Sequence, residues 1–158
     1  MNPAVDGYQA RLATPFAVLG IVTGGAALTA IDFLPPGTPE LEPQNPVAEK
    51  TCAQLRAYLA DPMFRFDLPL APRGTAFQAK VWQALREIPA GSTRRYGELA
   101  HLLHSAPRAV GQACGANPIP VVIPCHRVLA QNGPGGFMNS SGGEPLAIKH
   151  WLLRHERG

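Results

Sequence analysis

The stretch TAFQAKVWQALREIPAGSTRRYGELAHLLHSAPRAVGQACG, residues 75–115, decides the fold. Thr75 followed three residues later by Gln78 is a capping box, and Phe77, Val81, Trp82 and Leu85 then recur at helical spacing until Pro89 stops the run. Tyr96 to His104 reads as a short helix with Leu99, Leu102 and Leu103 facing inward; Ser105 with Pro107 opens another that runs to about Gly115. Two short helices joined by a tight turn predict a helix-turn-helix, although many helical hairpins never touch DNA. The second of them, PRAVGQACGAN, is built from small residues with Arg108 as its long probe. Close packing against another helix and insertion into a narrow groove of DNA both account for that composition. Cys114 in it reads as a small packing residue, and Trp82 as core.

Upstream, DPMFRFDLPLAPRG (61–74) is an extended passage, which places a boundary between a 1–70 domain and a 71–158 domain. Before it, FAVLGIVT (16–23) and AALTAIDFL (26–34) flank Gly24 and Gly25 and read as the strands of a hairpin. Leu12 to Ile31 has no charged residue and is long enough to cross a bilayer, but Pro15, Gly20 and the glycine pair interrupt it, so strands are the better reading. PPGTPELEPQNP (35–46) excludes helix and central strand; a helix follows over Val47 to Leu59, with Ala48, Cys52, Leu55 and Leu59 on one face. The fold class is therefore α+β, a strand-rich N-terminal domain with one helix ahead of a helical C-terminal domain.

The chain carries a net charge of +3 and has a sequence pI near 9.0. Arg86, Arg94, Arg95, Arg108 and Arg127 fall in the second half, whereas Asp32, Glu40, Glu42 and Glu49 fall in the first, which is compatible with a polyanionic partner. Three cysteines, Cys52, Cys114 and Cys125, form no CxxC pair and no Cys/His set with metal-ligand spacing, which argues against disulfide and zinc frameworks and for a reducing cytoplasm. The opening MNPAVDGYQAR lacks the basic-then-apolar layout of a secretion signal.

The chemistry concentrates after Asn117. VVI (121–123) reads as a short strand that delivers Pro124-Cys125-His126-Arg127 at its end. A thiol attacks as the thiolate, so it needs a base or a positive field, and His126 and Arg127 offer one of each. Neighbours on a strand point to opposite faces, so a water is the natural bridge from Cys125 to His126. The last helix, Pro145 to Glu156, buries Ile148, Trp151 and Leu152, and Glu156 continues that stripe. A carboxylate there is either exposed at the helix end or paired with a histidine. In the second case Cys125, His126 and Glu156 form a relay.

Taken together, GTAFQAKVWQALREIPAGSTRRYGELA (74–100), RAVGQACGANP (108–118), VVIPCHRV (121–128) and LAIKHWLLRHE (146–156) resemble the O6-alkylguanine-DNA alkyltransferases, also called methylated-DNA–protein-cysteine methyltransferases. The resemblance is close over residues 73–156; the first 70 residues share only the layout. It implies a ribonuclease-H-like N-terminal domain and a winged helix-turn-helix-like motif in the C-terminal one. It also implies a single-turnover DNA repair activity, in which O6-alkylguanine in duplex DNA, with O4-alkylthymine as a further substrate, gives its alkyl group to Cys125 after base flipping. His126 would deprotonate Cys125 through water, Glu156 would orient His126, Asn117 would buttress the acceptor loop, and Tyr96 would donate to the flipped guanine. The carbonyls of Cys125 and Val128 would accept from the exocyclic amine. Arg108 would fill the gap in the base stack, with Tyr96, Gly97, Ala109, Gly111 and Ala113 along the groove. No cofactor or metal, no membrane and no obligate protein partner is implied. The loop 134–145 departs from the family: it is about two residues longer and has no tyrosine, so Phe137 or Ser140-Ser141-Gly142 takes the pocket-closing position, with Ser141 the substrate-binding candidate. A lesion-binding module that does not repair and a cysteine hydrolase are rival readings, beside a helix-turn-helix regulator. The first lacks the acceptor cysteine that this chain keeps, and the second needs an oxyanion loop that is not evident.

Overall fold

The chain turns back as the sequence predicts, but at Gly25 and Ala26, one residue beyond the centre of the glycine pair, with Gly24 closing the strand. In the computed structural model, which describes residues 7–131, 133, 135–138 and 143–157, strands β1 (Ala10–Ala13), β2 (Val18–Gly24) and β3 (Ala27–Leu34) form an antiparallel sheet in the order β1-β2-β3. Ala10 pairs with Ile21 and Gly24 with Ala27, and Gly25 takes a positive φ of 60° that a side chain would resist. Val18, Leu19 and Ile21 are all buried, so β2 is covered on both faces and shows no polar alternation. Gly20 sits inside this strand because the Tyr8 ring lies across it, where a Cβ would fall 2.6 Å from a ring carbon; the Tyr8 hydroxyl donates to Asp32 Oδ2 at 2.8 Å. The uncharged stretch is thus sheet, and among the described residues no helix is long and apolar enough to cross a membrane.

Helix α1 (Pro46–Ala60) begins where Asn45 Oδ1 accepts from the Ala48 amide at 2.8 Å with proline in the first turn. It buries Ala48, Thr51, Cys52, Leu55 and Tyr58 against the sheet. Each large side chain so buried contributes about 1.5–3 kcal/mol of transfer free energy. Tyr58, rather than the expected Leu59, completes the stripe, its ring 5.5 Å from that of Phe66.

Two compact units divide the chain, Met1–Arg73 and Gly74–Gly158. The second opens with α2 (Ala76–Arg86), whose capping box is reciprocal: the Gln78 amide donates to Thr75 Oγ1 at 3.1 Å and the Thr75 amide to Gln78 Oε1 at 2.9 Å. Val81, Trp82 and Leu85 are buried, and Trp82 Nε1 donates to the Ala113 carbonyl at 2.9 Å. That bond joins α2 to α4 (Pro107–Gly115), which follows α3 (Tyr96–Leu102) after a turn in which His104 has a φ of 54°. The helix-turn-helix is present, with two corrections. Leu102 is 67% exposed and Leu99 with Ala100 faces inward, because Leu102 lies off the inward stripe of a helix this short. Ala113, expected on the groove side, is buried with its carbonyl bonded to Trp82.

VVI is not a strand. Three prolines, Pro118, Pro120 and Pro124, frame it, and Val121 adopts a φ of 75° within a turn closed by the Ile123 amide on the Ile119 carbonyl at 2.9 Å. Asn117 holds that turn from inside: its Nδ2 donates to the Ile123 carbonyl at 2.8 Å and its Oδ1 accepts from the Ile119 amide at 2.9 Å. Cys125–Arg127 then makes one 3₁₀ turn, followed by β5 (Val128–Leu129) parallel to β4 (Arg94–Arg95). In α5 (Gly143–Arg157) Ile148 and Leu152 are buried, but Trp151 is half-buried and stacks on His155, 4.9 Å between ring centroids. Lys149, not Trp151, is the remaining buried member of that face.

Candidate active site

Cys125 opens the 3₁₀ turn with 3% of its surface exposed. Burial pushes its thiol up to about 11, against hydrogen bonding from Asn117 and the charge of Lys149, which both pull it down. Four units above neutral corresponds to roughly 5 kcal/mol, so the resting group is a thiol and attack requires a proton acceptor.

His126 and Glu156 are brought together as the relay requires. His126 is fully buried and its Nε2 lies 2.7 Å from Glu156 Oε2. A carboxylate only accepts, so the ring proton sits on Nε2 and the lone pair on Nδ1, a buried atom with no partner among the described residues. Arg127 does not supply the field at Cys125 that the sequence suggested. It grips Glu156 instead, Nε to Oε1 at 2.8 Å and Nη2 to Oε2 at 2.9 Å, while Nη1 donates to the Ile88 carbonyl at 2.6 Å. Burial alone would raise the Glu156 carboxyl, but the bonds from His126 and Arg127 outweigh it and hold the group well below the usual range. Burial likewise pushes His126 down, against its bond to Glu156, so the imidazole is neutral at pH 7.

Lys149 is buried on α5 with Nζ 2.7 Å from the Val128 carbonyl oxygen, and its charge is one of the influences that pull the Cys125 thiol down. Sequence reasoning passed over it, although Lys149, Leu152 and Glu156 share one helical stripe and a lysine inside an apolar stripe is a recognisable signal.

Tyr96, the first residue of α3, is half-buried beside Gly111 and Gly135, whose added Cβ atoms would lie 4.0 and 3.0 Å from its ring. Burial first, then the thiols of Cys114 and Cys125, push its hydroxyl up, which keeps it a donor. Arg108 and Gly97 are exposed, and Ala109 and Gly111 half-exposed, on α3 and α4; Arg94 and Arg95 are exposed on β4. Val128 is fully buried with its carbonyl accepting from Lys149 Nζ at 2.7 Å. Phe137 is buried, whereas Ser141, with Ser140 and Gly142, lies outside the described residues.

This constellation is expected to make the second unit acid-labile. The folded values of His126 and Glu156 lie below their ordinary 6.5 and 4.5. The unfolded chain therefore binds protons that the fold excludes, and stability present at neutral pH falls first through about 6.5 and again through about 4.5. Thermal midpoints recorded from pH 8 to 4 should drop in that order, and a flat profile down to pH 5 would contradict a buried neutral His126.

Residues 76–158 match the family model described as 6-O-methylguanine DNA methyltransferase, DNA binding domain. A methylated-DNA–protein-cysteine methyltransferase of Haemophilus influenzae is 38% identical over 158 residues, covering 95% of this chain and 86% of its own. One from Methanosarcina acetivorans is 50% identical over 106 residues, 65% of each chain. The chain spans 64% and 60% of the lengths of the relatives from Methanosarcina mazei and Shigella flexneri. A crystal structure of Mycobacterium tuberculosis OGT in complex with DNA superposes with a TM-score of 0.77 at 35% identity, covering 93% of this chain and 91% of that one. The family model over residues 76–158, the Haemophilus influenzae relative and near-complete structural coverage agree: this chain belongs to the 6-O-methylguanine DNA methyltransferase family.

Proposed function

We propose that this protein repairs DNA by taking an alkyl group, methyl included, from O6-alkylguanine in duplex DNA onto Cys125 Sγ. The observation that carries this reading is the buried Nδ1 of His126, which has no partner among the described residues, one residue from the thiol, on a ring whose other nitrogen is fixed by Glu156. A water bridging Cys125 Sγ and Nδ1 would pass the thiol proton to the imidazole. The sulfur then forms a bond to the alkyl carbon as the carbon–O6 bond breaks, and the electron pair leaves on the guanine. Tyr96, held protonated by its surroundings, donates to the departing base. The Val128 carbonyl keeps a lone pair for the exocyclic amine beside its bond to Lys149, and the Cys125 carbonyl accepts alongside it. Asn117 fixes the acceptor turn from beneath.

The O6 atom of a stacked base cannot meet this sulfur, so the nucleotide leaves the duplex at a cost of a few kcal/mol. Arg108 offsets part of that by filling the stack, with Gly97, Ala109 and Gly111 along the groove. Support for a DNA partner comes from the exposed arginines of β4 and α4 and from the DNA-bound Mycobacterium tuberculosis relative. The thioether product has no good leaving group, so each molecule acts once, without cofactor, metal or obligate protein partner. We assign these roles to a 71–158 domain, with 1–70 as its support; Ser141, the substrate-binding candidate, lies outside the described residues. Three free cysteines favour the reducing cytoplasm. The test is to incubate the protein with duplex DNA carrying O6-methylguanine and map peptide masses. One methyl group on the Cys125 peptide, guanine restored and no second turnover are expected; bound but intact lesion with unmodified protein would overturn the reading.

A further inference from the structure

Arg95 is exposed, yet its guanidinium is committed to the chain rather than left to solvent. Nη1 donates to the Ala130 carbonyl at 2.9 Å and to the Gln131 carbonyl at 2.5 Å. The neighbouring Arg94 differs, its Nη1 donating to the carbonyl of the adjacent Thr93 at 3.0 Å. The ladder between β4 and β5 ends where Arg95 pairs with Leu129, so Ala130 and Gln131 lie just beyond it. The side chain of Arg95 therefore carries the pairing two residues further than its backbone does.

The loop held in this way stands against Tyr96. Ala130 bridges to Gly133, and Gly135, with a φ of 73°, folds back on it: a Cβ there would lie 3.3 Å from the Ala130 nitrogen and 3.0 Å from a carbon of the Tyr96 ring. Tyr96 follows Arg95 directly and opens α3, whose first turn is fixed by Glu98 Oε1 accepting from the Arg95 amide at 3.0 Å. One residue thus ties both sides of a circuit, its main chain the start of the helix that carries Tyr96, its guanidinium the loop beside the ring.

We infer that Arg95 is a positioning residue, whose guanidinium fixes the loop of Ala130, Gly133 and Gly135 as a wall beside Tyr96 and so aims the Tyr96 hydroxyl at the departing base. The inference rests on Tyr96 acting as donor in the repair reading. Surface bonds of this kind add little to the stability of the unit, but a donor displaced by a fraction of its bond length loses rate out of proportion. The other use of an exposed arginine in a DNA-binding unit is to hold a phosphate. A phosphate contact sets affinity and its salt dependence, whereas a wall beside Tyr96 sets the rate once DNA is bound.

The test compares the whole chain with Arg95→Met, which keeps the aliphatic stem, loses the donors and, at an exposed position, leaves the unit folded. Loss of the charge weakens duplex binding on either view, so the decisive quantity is the single-turnover rate of methyl transfer from a duplex carrying O6-methylguanine at saturating protein. That rate is expected to fall about tenfold. Arg95→Lys should recover most of it, because both bonds come from one nitrogen and an ammonium carries three donors. Without DNA, amide exchange in the peptide carrying Ala130 and Gln131 should quicken about tenfold in Arg95→Met, relative to α2. A salt slope lowered by about one with an unchanged rate at saturation would make Arg95 a phosphate contact and overturn the inference. Unchanged exchange would overturn it equally. A wild type that never takes methyl would sink the repair reading alone, since exchange in the DNA-free protein still decides whether Arg95 holds the loop.

Discussion

Replacement of Arg127 by methionine is expected to destabilise the 74–158 unit by about 3–5 kcal/mol, measured as a lower midpoint in urea with an unchanged slope. The guanidinium makes two bonds to Glu156 and one to the Ile88 carbonyl, all buried. Methionine fills similar volume but strips the buried carboxylate of the cation that neutralises it, and takes from the Ile88 carbonyl the bond it had, which costs about a further 1–3 kcal/mol. Arg127→Lys should recover only part of the loss, because a point charge cannot make the paired bonds of a planar fork. Adding Glu156→Leu to Arg127→Met removes the stranded charge and should return some stability, though not all, since His126 Nε2 then loses its acceptor. A loss below about 1 kcal/mol for the single variant would mean that solvent reaches the pair and that the clamp is a surface ion pair.

The parts of the fold that were legible in the sequence are those fixed by near neighbours. Thr75 and Gln78 cap α2 over three residues, Gly25 turns a two-residue hairpin, and the prolines after β3 delay α1 until Asn45 can cap it. VVI failed the same treatment because β propensity is a weak preference, and three prolines with an asparagine clamp from 117 override it. The site divides in the same manner. Cys125, His126 and Glu156 stood out through residue chemistry and through resemblance, and the His126–Glu156 distance bears out the pairing as geometry. What Arg127 does was not legible, since its partners at 88 and 156 are tens of residues away in sequence. Lys149 is half-legible: the helical stripe predicts a buried face for α5, but Trp151 two positions on is the more conspicuous apolar residue.

Conversion of Glu156 to glutamine separates charge from shape in the proposed mechanism, and the expected result is a fall of about 10²- to 10⁴-fold in the single-turnover rate of methyl transfer. Glutamine keeps the length of the side chain and can still bond His126 through its oxygen, so the ring need not move. It cannot keep the charge. Without the carboxylate, the imidazolium formed when Nδ1 takes the Cys125 proton has no anion to stabilise it, and burial already disfavours that charged form. A glutamine amide can also present its NH₂ group to Nε2, which would move the ring proton to Nδ1 and remove the base outright. The two routes differ in their pH dependence. Loss of charge alone lets higher pH restore the rate as the thiol near 11 ionises unaided, whereas a donor fixed at Nδ1 would hinder the thiolate even then. Quenched-flow measurements from pH 7 to 10 on a duplex carrying O6-methylguanine would distinguish them. A variant that transfers methyl at the wild-type rate throughout would show that His126 is not the base, and the thiol would then have to lose its proton to the DNA or to solvent.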